Sequence, residues 1–413
     1  MDSRKQGLNR REFIKRGALA GIGVGLLPLA EADASTPPPG PPEVRRYSRL
    51  GRTGLKISDI SFGGSRLRTG QEEIVLHAYE RGINYFDTAE TYTDSESETT
   101  IGNALRGKRD KVFITSKVIT EPTDNRQMMM TALEGSLKRL QTDHVDIYFN
   151  HAVNNVERLK NPEWHEFTAE ARKQGKIRFV GMSGHAGHLA ECLDYALDTD
   201  QIDVFLAAHN FGQDPRFYQR FFGGFDFVAR QPDLPRIMAK AKQKNVGVVV
   251  MKTLMGARLN DMRPYEEGGA TFSQAAFRWV LSNSNVDALI VSMTSKEMID
   301  EYLGASGWRS TASGDLRLLR RYAAMNGTSY CRHSCSACEG SCPNDVPIAD
   351  IMRTRMYAKD YNDMRLARAE YSLLATNASA CLSCTAKTCA GACPHGLPID
   401  ALTAPTHRLL TSV

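Results

Sequence analysis

Eight short apolar, β-branched runs, each followed by a stretch of helical character, recur between about Val44 and Leu303. Their cores are Ile57 to Phe62, Asn84 to Asp87, Val112 to Lys117, Val145 to Phe149, Ile177 to Gly181, Val204 to Ala208, Val246 to Met251 and Ala288 to Val291. Runs of this kind suit strands covered on both faces, and the alternation with helices makes neighbouring strands parallel. Eight such units predict closure into a (β/α)8 barrel of the α/β class. The competing architecture is an open doubly wound sheet. That fold calls for a G-x-G-x-x-G turn after an early strand, and none occurs. One connection is longer than the rest. It runs from Phe211 to Leu234 and carries Phe217, Tyr218, Phe221, Phe222, Phe225 and Phe227, which either line a pocket or pack locally.

The barrel does not use up the chain of 413 residues, and the remainder divides into recognisable pieces. Asn9-Arg10-Arg11-Glu12-Phe13 precedes a Gly-rich apolar run from Gly17 to Ala30 and a small-residue site at Ala32-Asp33-Ala34. Residues 1–34 therefore resemble a twin-arginine export signal, which implies a periplasmic protein. The apolar run is short for a membrane span, and no stable membrane insertion is expected once the signal is cleaved. Residues 35–44 hold Thr36-Pro37-Pro38-Pro39-Gly40-Pro41-Pro42, a stiff spacer because proline fixes φ and lacks an amide donor. The barrel is expected over residues 45–325 and a second domain over 326–413. A net charge of +5 gives no support to a nucleic-acid partner.

Polar residues at the C-terminal ends of barrel strands read as chemistry, because those ends and the loops after them build the active site. Asp87 ends the second strand candidate, Tyr92 follows it, Lys117 ends the third and His151 closes the fourth. Singly these are a helix cap, a half-buried ring, a solvated charge and a satisfied polar residue. Together they form a proton-transfer device. A tyrosine with a pKa of about 10 is a poor acid near neutrality, but a lysine ammonium stabilises the phenolate. Asp87 would hold Lys117 charged, and His151 would orient a carbonyl or share the proton.

Leu50-Gly51-Arg52-Thr53-Gly54-Leu55, Phe86-Asp87-Thr88-Ala89-Glu90-Thr91-Tyr92 and Gly175-Lys176-Ile177-Arg178 resemble the aldo-keto reductases over roughly residues 46–303. The resemblance implies a nicotinamide cofactor, NADP or NAD, and a catalytic tetrad of Asp87, Tyr92, Lys117 and His151. It also implies cofactor contacts from Ser183, Asn210, Leu254, Ser295 and Lys296. The chain departs from the family where Gly184 follows Ser183, where Leu206 replaces a glutamine, and in Ser292-Met293-Thr294-Ser295-Lys296, which lacks the arginine expected to grip a 2'-phosphate.

Eight of nine cysteines crowd the C-terminal region as Cys331-x3-Cys335-x2-Cys338-x3-Cys342-Pro343 and Cys381-x2-Cys384-x4-Cys389-x3-Cys393-Pro394. Short spacings let one loop wrap several iron corners, and in two-cluster ferredoxins the fourth cysteine of each run ligates the opposite cluster. The expected occupants are two 4Fe-4S clusters, with Cys342 and Cys393 exchanged between them. Zinc sites and disulfides are the alternatives, and neither accounts for both Cys-Pro endings. A helical stretch from Ile348 to Leu374 makes this a small, mainly α-helical ferredoxin-like domain. Cys192 stands alone and reads as a buried structural thiol.

The sequence thus points to an exported oxidoreductase that interconverts a small carbonyl and an alcohol, coupled to or stabilised by two clusters, with a redox partner protein as a further expectation. The alternative is an iron-sulfur electron carrier whose inactive barrel serves as scaffold.

Overall fold

Alternate side chains of a parallel strand face opposite ways, and here both directions are apolar. Along β6 (Val145–Asn150), Ile147 and Phe149 face the barrel interior while Tyr148 packs outward under the helices. The same alternation places Val204 and Leu206 of β8 (Val204–Ala208), Val249 of β9 (Gly247–Met251), and Ala288 and Ile290 of β10 (Ala288–Ser292) inside. With β3 (Ile60–Gly63), β4 (Tyr85–Asp87), β5 (Phe113–Val118) and β7 (Ile177–Gly184), these strands form a closed barrel in the order β10-β3-β4-β5-β6-β7-β8-β9. Every neighbouring pair is parallel, and β10 closes the ring by pairing with both β3 and β9. This computed structural model describes residues 41–213, 233–255, 261–266, 269–326, 331–332, 335–361 and 363–412. The expected export signal, residues 35–40 of the spacer and the aromatic run Phe217 to Phe227 lie outside the described residues.

The first strand candidate, Ile57 to Phe62, is two strands rather than one. Its early part belongs to an antiparallel hairpin of β1 (Tyr47–Arg49) and β2 (Lys56–Ser58), and only its end enters the barrel. The break falls at Asp59, whose buried carboxyl accepts from Ser306 Oγ at 2.6 Å and from the Gly307 amide at 2.8 Å. The hairpin seals the N-terminal end of the barrel with Leu50, Leu55 and Ile57. Its turn depends on Gly51, whose φ is +47° and where an added Cβ would lie 2.4 Å from the Gly247 amide nitrogen.

Beyond the barrel, helix Ser313–Asn326 packs on helix Phe272–Leu281, with Phe272 and Tyr322 stacked at 4.3 Å and Arg278 paired to Asp315 in the dry interface. The helical stretch expected from Ile348 to Leu374 comprises two helices, Ile348–Lys359 and Met364–Ser372. Asp363 restarts the second by accepting from the Leu366 amide at 3.0 Å. Residues 35–413 form one compact unit. Phe211, Met255, Phe272 and Tyr322 share a core with Ile351, Met356, Tyr357, Ala367, Tyr371 and Leu410, so the cysteine-bearing segment is packed on the barrel and not merely tethered to it. Cys192 is buried in helix Leu189–Asp198, where desolvation pushes its thiol up to about 12, as suits a structural role. Among the described residues no helix is long and apolar enough to cross a membrane.

Gly51→Ala forces a side chain into a left-handed backbone against a neighbouring strand, at a cost of about 1–3 kcal/mol. Urea denaturation is expected to show that loss; a variant as stable as its parent would mean that the hairpin is not seated against Gly247.

Candidate active site

The barrel aims the ends of β4, β5 and β6 at one rim, and the four residues expected to meet there do meet. Lys117 Nζ lies 2.7 Å from Asp87 Oδ1, 2.6 Å from the Thr88 carbonyl oxygen and 3.4 Å from Tyr92 Oη. The ammonium also sits 4.6 Å from the Tyr92 ring centroid. The His151 ring meets Tyr92 edge-on, centroids 5.5 Å apart and planes at 78°. His151 is fixed through its backbone, its amide donating to the Val118 carbonyl and its own carbonyl accepting from Arg158 Nη2 at 2.7 Å.

Tyr92 is delivered by an unusual turn. Thr93, Asp94 and Ser95 follow it with φ of 49°, 57° and 69°, three successive left-handed residues of which none is glycine. Such conformations persist only where the surroundings over-determine them. Here Thr93 Oγ1 donates to the Leu67 carbonyl at 2.6 Å, Ser95 Oγ donates to the Glu90 carbonyl at 2.7 Å, and Arg365 of helix Met364–Ser372 pairs with Asp94.

Burial governs the charges. The Lys117 and Asp87 side chains are 0% and 2% exposed, so desolvation lowers the lysine and raises the aspartate, and each partner opposes the other's shift. Tyr92 is held well above the usual phenol value by desolvation, then by the Asp87 and Glu370 carboxyls. Burial thus sets the direction of the Tyr92 shift, and the phenol is protonated, as an acid must be. His151 is held well below the usual imidazole value by desolvation and by Lys117, Arg158 and Lys252, so its ring is neutral.

Tyr92, Asp87 and His151 line a cavity of about 260 Å³. Of the residues expected to touch a cofactor, Ser183 and Leu254 lie on its wall, and the Ser183 hydroxyl accepts from the Ala152 amide at 3.1 Å. Asn210 is buried below the cavity lining, donating from Nδ2 to the Lys252 carbonyl at 2.9 Å and accepting from the Gly212 amide at 3.0 Å. Ser295 and Lys296 stand apart from it. Ser295 caps helix Lys296–Leu303 through the Met298 amide, and Lys296 pairs with Glu73 at 2.9 Å on the surface.

The far wall was missed by sequence reasoning. Lys252, at the end of β9, and His185, after β7, face Tyr357, Tyr361 and Glu370 from the cysteine-bearing segment. Lys252 and His185 obey the same strand-end rule as Asp87 and could have been found by it. The two tyrosines and Glu370 reach the cavity only through tertiary packing, for which the sequence carries no local signal.

The cysteines assemble across the two runs. Cys331, Cys335 and Cys338 interact electrostatically with one another and with Cys393, and Cys389 interacts with Cys381 and Cys342. The thiols flank a small core of Ile348, Ala349, Met352, Leu397 and Ile399. None of the nine cysteines is paired in a disulfide. Among the described residues no group of three or more His, Cys, Asp or Glu is gathered closely enough to hold a single metal ion.

Comparison with known proteins finds the Aldo/keto reductase family over residues 59–264. An uncharacterised oxidoreductase of Bacillus subtilis is 28% identical over 310 residues, which are 63% of this chain and 90% of that protein. Among solved structures, a thermostable aldo-keto reductase determined with the inhibitor epalrestat is 26% identical and matches with a TM-score of 0.52, covering 67% of this chain and 98% of its own. An aldo-keto reductase of Klebsiella pneumoniae in complex with NADPH is 23% identical with a TM-score of 0.51, over 68% of this chain and 95% of its own.

The depressed His151 ring makes a signed prediction. The unfolded chain takes up this proton near the usual imidazole value of 6.5 and the folded chain only at lower pH. Stability is therefore lost as pH falls through the unfolded value toward the folded one. Replacing His151 with Gln is expected to flatten the decline in unfolding free energy between about pH 6.5 and 5 in urea titrations; an unchanged decline would refute a buried neutral imidazole.

Proposed function

Because the chain carries an aldo/keto reductase family domain and is an oxidoreductase of that type, we propose that it interconverts a small carbonyl compound and the corresponding alcohol with NADP(H), Tyr92 giving and retaking the proton. The single observation that carries this reading is the contact of buried Lys117 with both Asp87 and Tyr92, which line one cavity.

A nicotinamide ring fits the chemistry of that wall. Leu206, Met251 and Ile290 offer an apolar floor beside the tetrad, and Ser183 and Leu254 stand at its edge. The cofactor would supply the hydride. The chain's own residues handle the proton and the oxygen. Tyr92, kept protonated by burial, donates to the substrate oxygen. Lys117, 3.4 Å away, stabilises the phenolate left behind, and Asp87 fixes the ammonium. The neutral His151 donates a hydrogen bond to the same oxygen without adding a charge.

The eight clustered cysteines suit two 4Fe-4S clusters, one held by Cys331, Cys335, Cys338 and Cys393 and the other by Cys342, Cys381, Cys384 and Cys389. The support is the crossing of Cys393 and Cys342 between the runs. A nicotinamide passes electrons in pairs and such clusters take them singly, so carbonyl reduction does not require them. On this reading they brace the segment that walls the cavity. The twin-arginine motif supports export to the periplasm with clusters already inserted.

Tyr92→Phe is expected to cut NADPH-dependent aldehyde reduction by a factor of about 10²–10⁴, read as NADPH absorbance loss; undiminished turnover would sink the assigned acid. Protein recovered from the periplasmic fraction is expected to contain iron and acid-labile sulfide, and Cys393→Ser to remove about half of each, as one of two clusters. Iron-free protein would overturn the cluster assignment, and protein confined to the cytoplasm the export.

A further inference from the structure

The cavity has a second polar corner that the tetrad chemistry does not use. Lys252 follows β9 in a left-handed backbone, φ 56°, with its Nζ 4.6 Å from the Tyr357 ring centroid and 5.3 Å from that of Tyr361. Its one hydrogen bond through Nζ among the described residues is to Tyr357 Oη, at a long 3.4 Å. An ammonium carries three donors, so two are left without an acceptor. The next residue, Thr253, lines the same cavity, and its buried hydroxyl has no hydrogen-bond partner. Tyr357 is itself steadied from the other side by His185, 3.1 Å from Oη to Nε2. A buried polar group without its partner is costly, and Thr253 bears that cost where a ligand can relieve it.

We propose that Lys252, Thr253 and Tyr357 bind a second oxygen of the substrate, so that the preferred substrates are carbonyl compounds bearing a neutral oxygen on the adjacent carbon, the α-hydroxycarbonyls. This rests on the reading of the cavity as a carbonyl-reducing site. Glu370 decides for a neutral oxygen over a carboxylate. It is nearly fully buried, lines the same cavity and interacts with Lys252, so the Lys252 ammonium already faces a carboxyl group. A substrate carboxylate would set a second carboxyl group beside it. Tyr357 is on this account a substrate-binding residue, supplied to the barrel by the cysteine-bearing segment.

Glycolaldehyde and propanal have the same number of heavy atoms and differ in the second oxygen, which makes them the probe pair. With full-length protein, kcat/KM is expected to favour glycolaldehyde at least about tenfold, and Tyr357→Phe and Lys252→Gln to erase that preference chiefly through KM. A preference unchanged in both variants would overturn the proposal. So would a preference for glyoxylate, or variants that weaken NADPH binding in place of glycolaldehyde, since either would mark an anion site. Calorimetric titration of both probes into Tyr92→Phe protein separates this proposal from the one it rests on. Tighter binding of glycolaldehyde, lost on adding Tyr357→Phe, supports the corner even if neither probe is turned over; equal affinities refute it even if both are.

Discussion

Closure of the parallel ladder is the constraint from which the rest follows. β10 donates and accepts along both its edges, to β3 on one side and β9 on the other, so no strand is left unpaired. Once the ring is shut, inward residues such as Ile147, Phe149, Leu206 and Val249 are packed layer on layer, and the hairpin carrying Leu50 and Leu55 closes the N-terminal end. All polar strand-end groups are then confined to the opposite rim. Asp87, Lys117 and His151 come together because strands β4, β5 and β6 are consecutive neighbours, without any special arrangement of the helices.

What the rim does with these groups is decided by desolvation. Lys117 and Asp87 are among the most deeply buried charged residues, and each is tolerable only because the other is there. The same dryness that strengthens their attraction keeps the Tyr92 proton on and the His151 proton off. On the proposed reading this phenol gives its proton to an oxygen on which negative charge develops, and the ammonium within reach lowers the cost of that transfer. The left-handed turn after Tyr92 and the Arg365–Asp94 pair hold the phenol where this can happen.

The strands were legible because parallel strands buried on both faces leave a plain mark, short β-branched runs at regular intervals. The tetrad was legible because strand ends are few. Four things were not. The split at Asp59 depends on Ser306 and Gly307, more than two hundred positions away in sequence. The protonation of Tyr92 turns on burial, and a list of residue types carries no burial. The far wall, Tyr357, Tyr361 and Glu370, belongs to a segment whose cysteines invite a reading as a separate domain, whereas its helices share a core with Phe211, Phe272 and Tyr322. The division of that helical stretch into two helices is marked by a local capping event at Asp363.

That shared core bears on heredity. Because the cysteine-bearing segment contributes side chains to the same chamber as the barrel, the two portions are exposed to selection as one object, and a change at Tyr357 or Glu370 is felt at Lys252 and His185. Separation of the two into independent genes would strip the chamber of a side and admit solvent to it. The lining of the chamber can therefore change through residues outside the barrel, such as Tyr357 and Glu370.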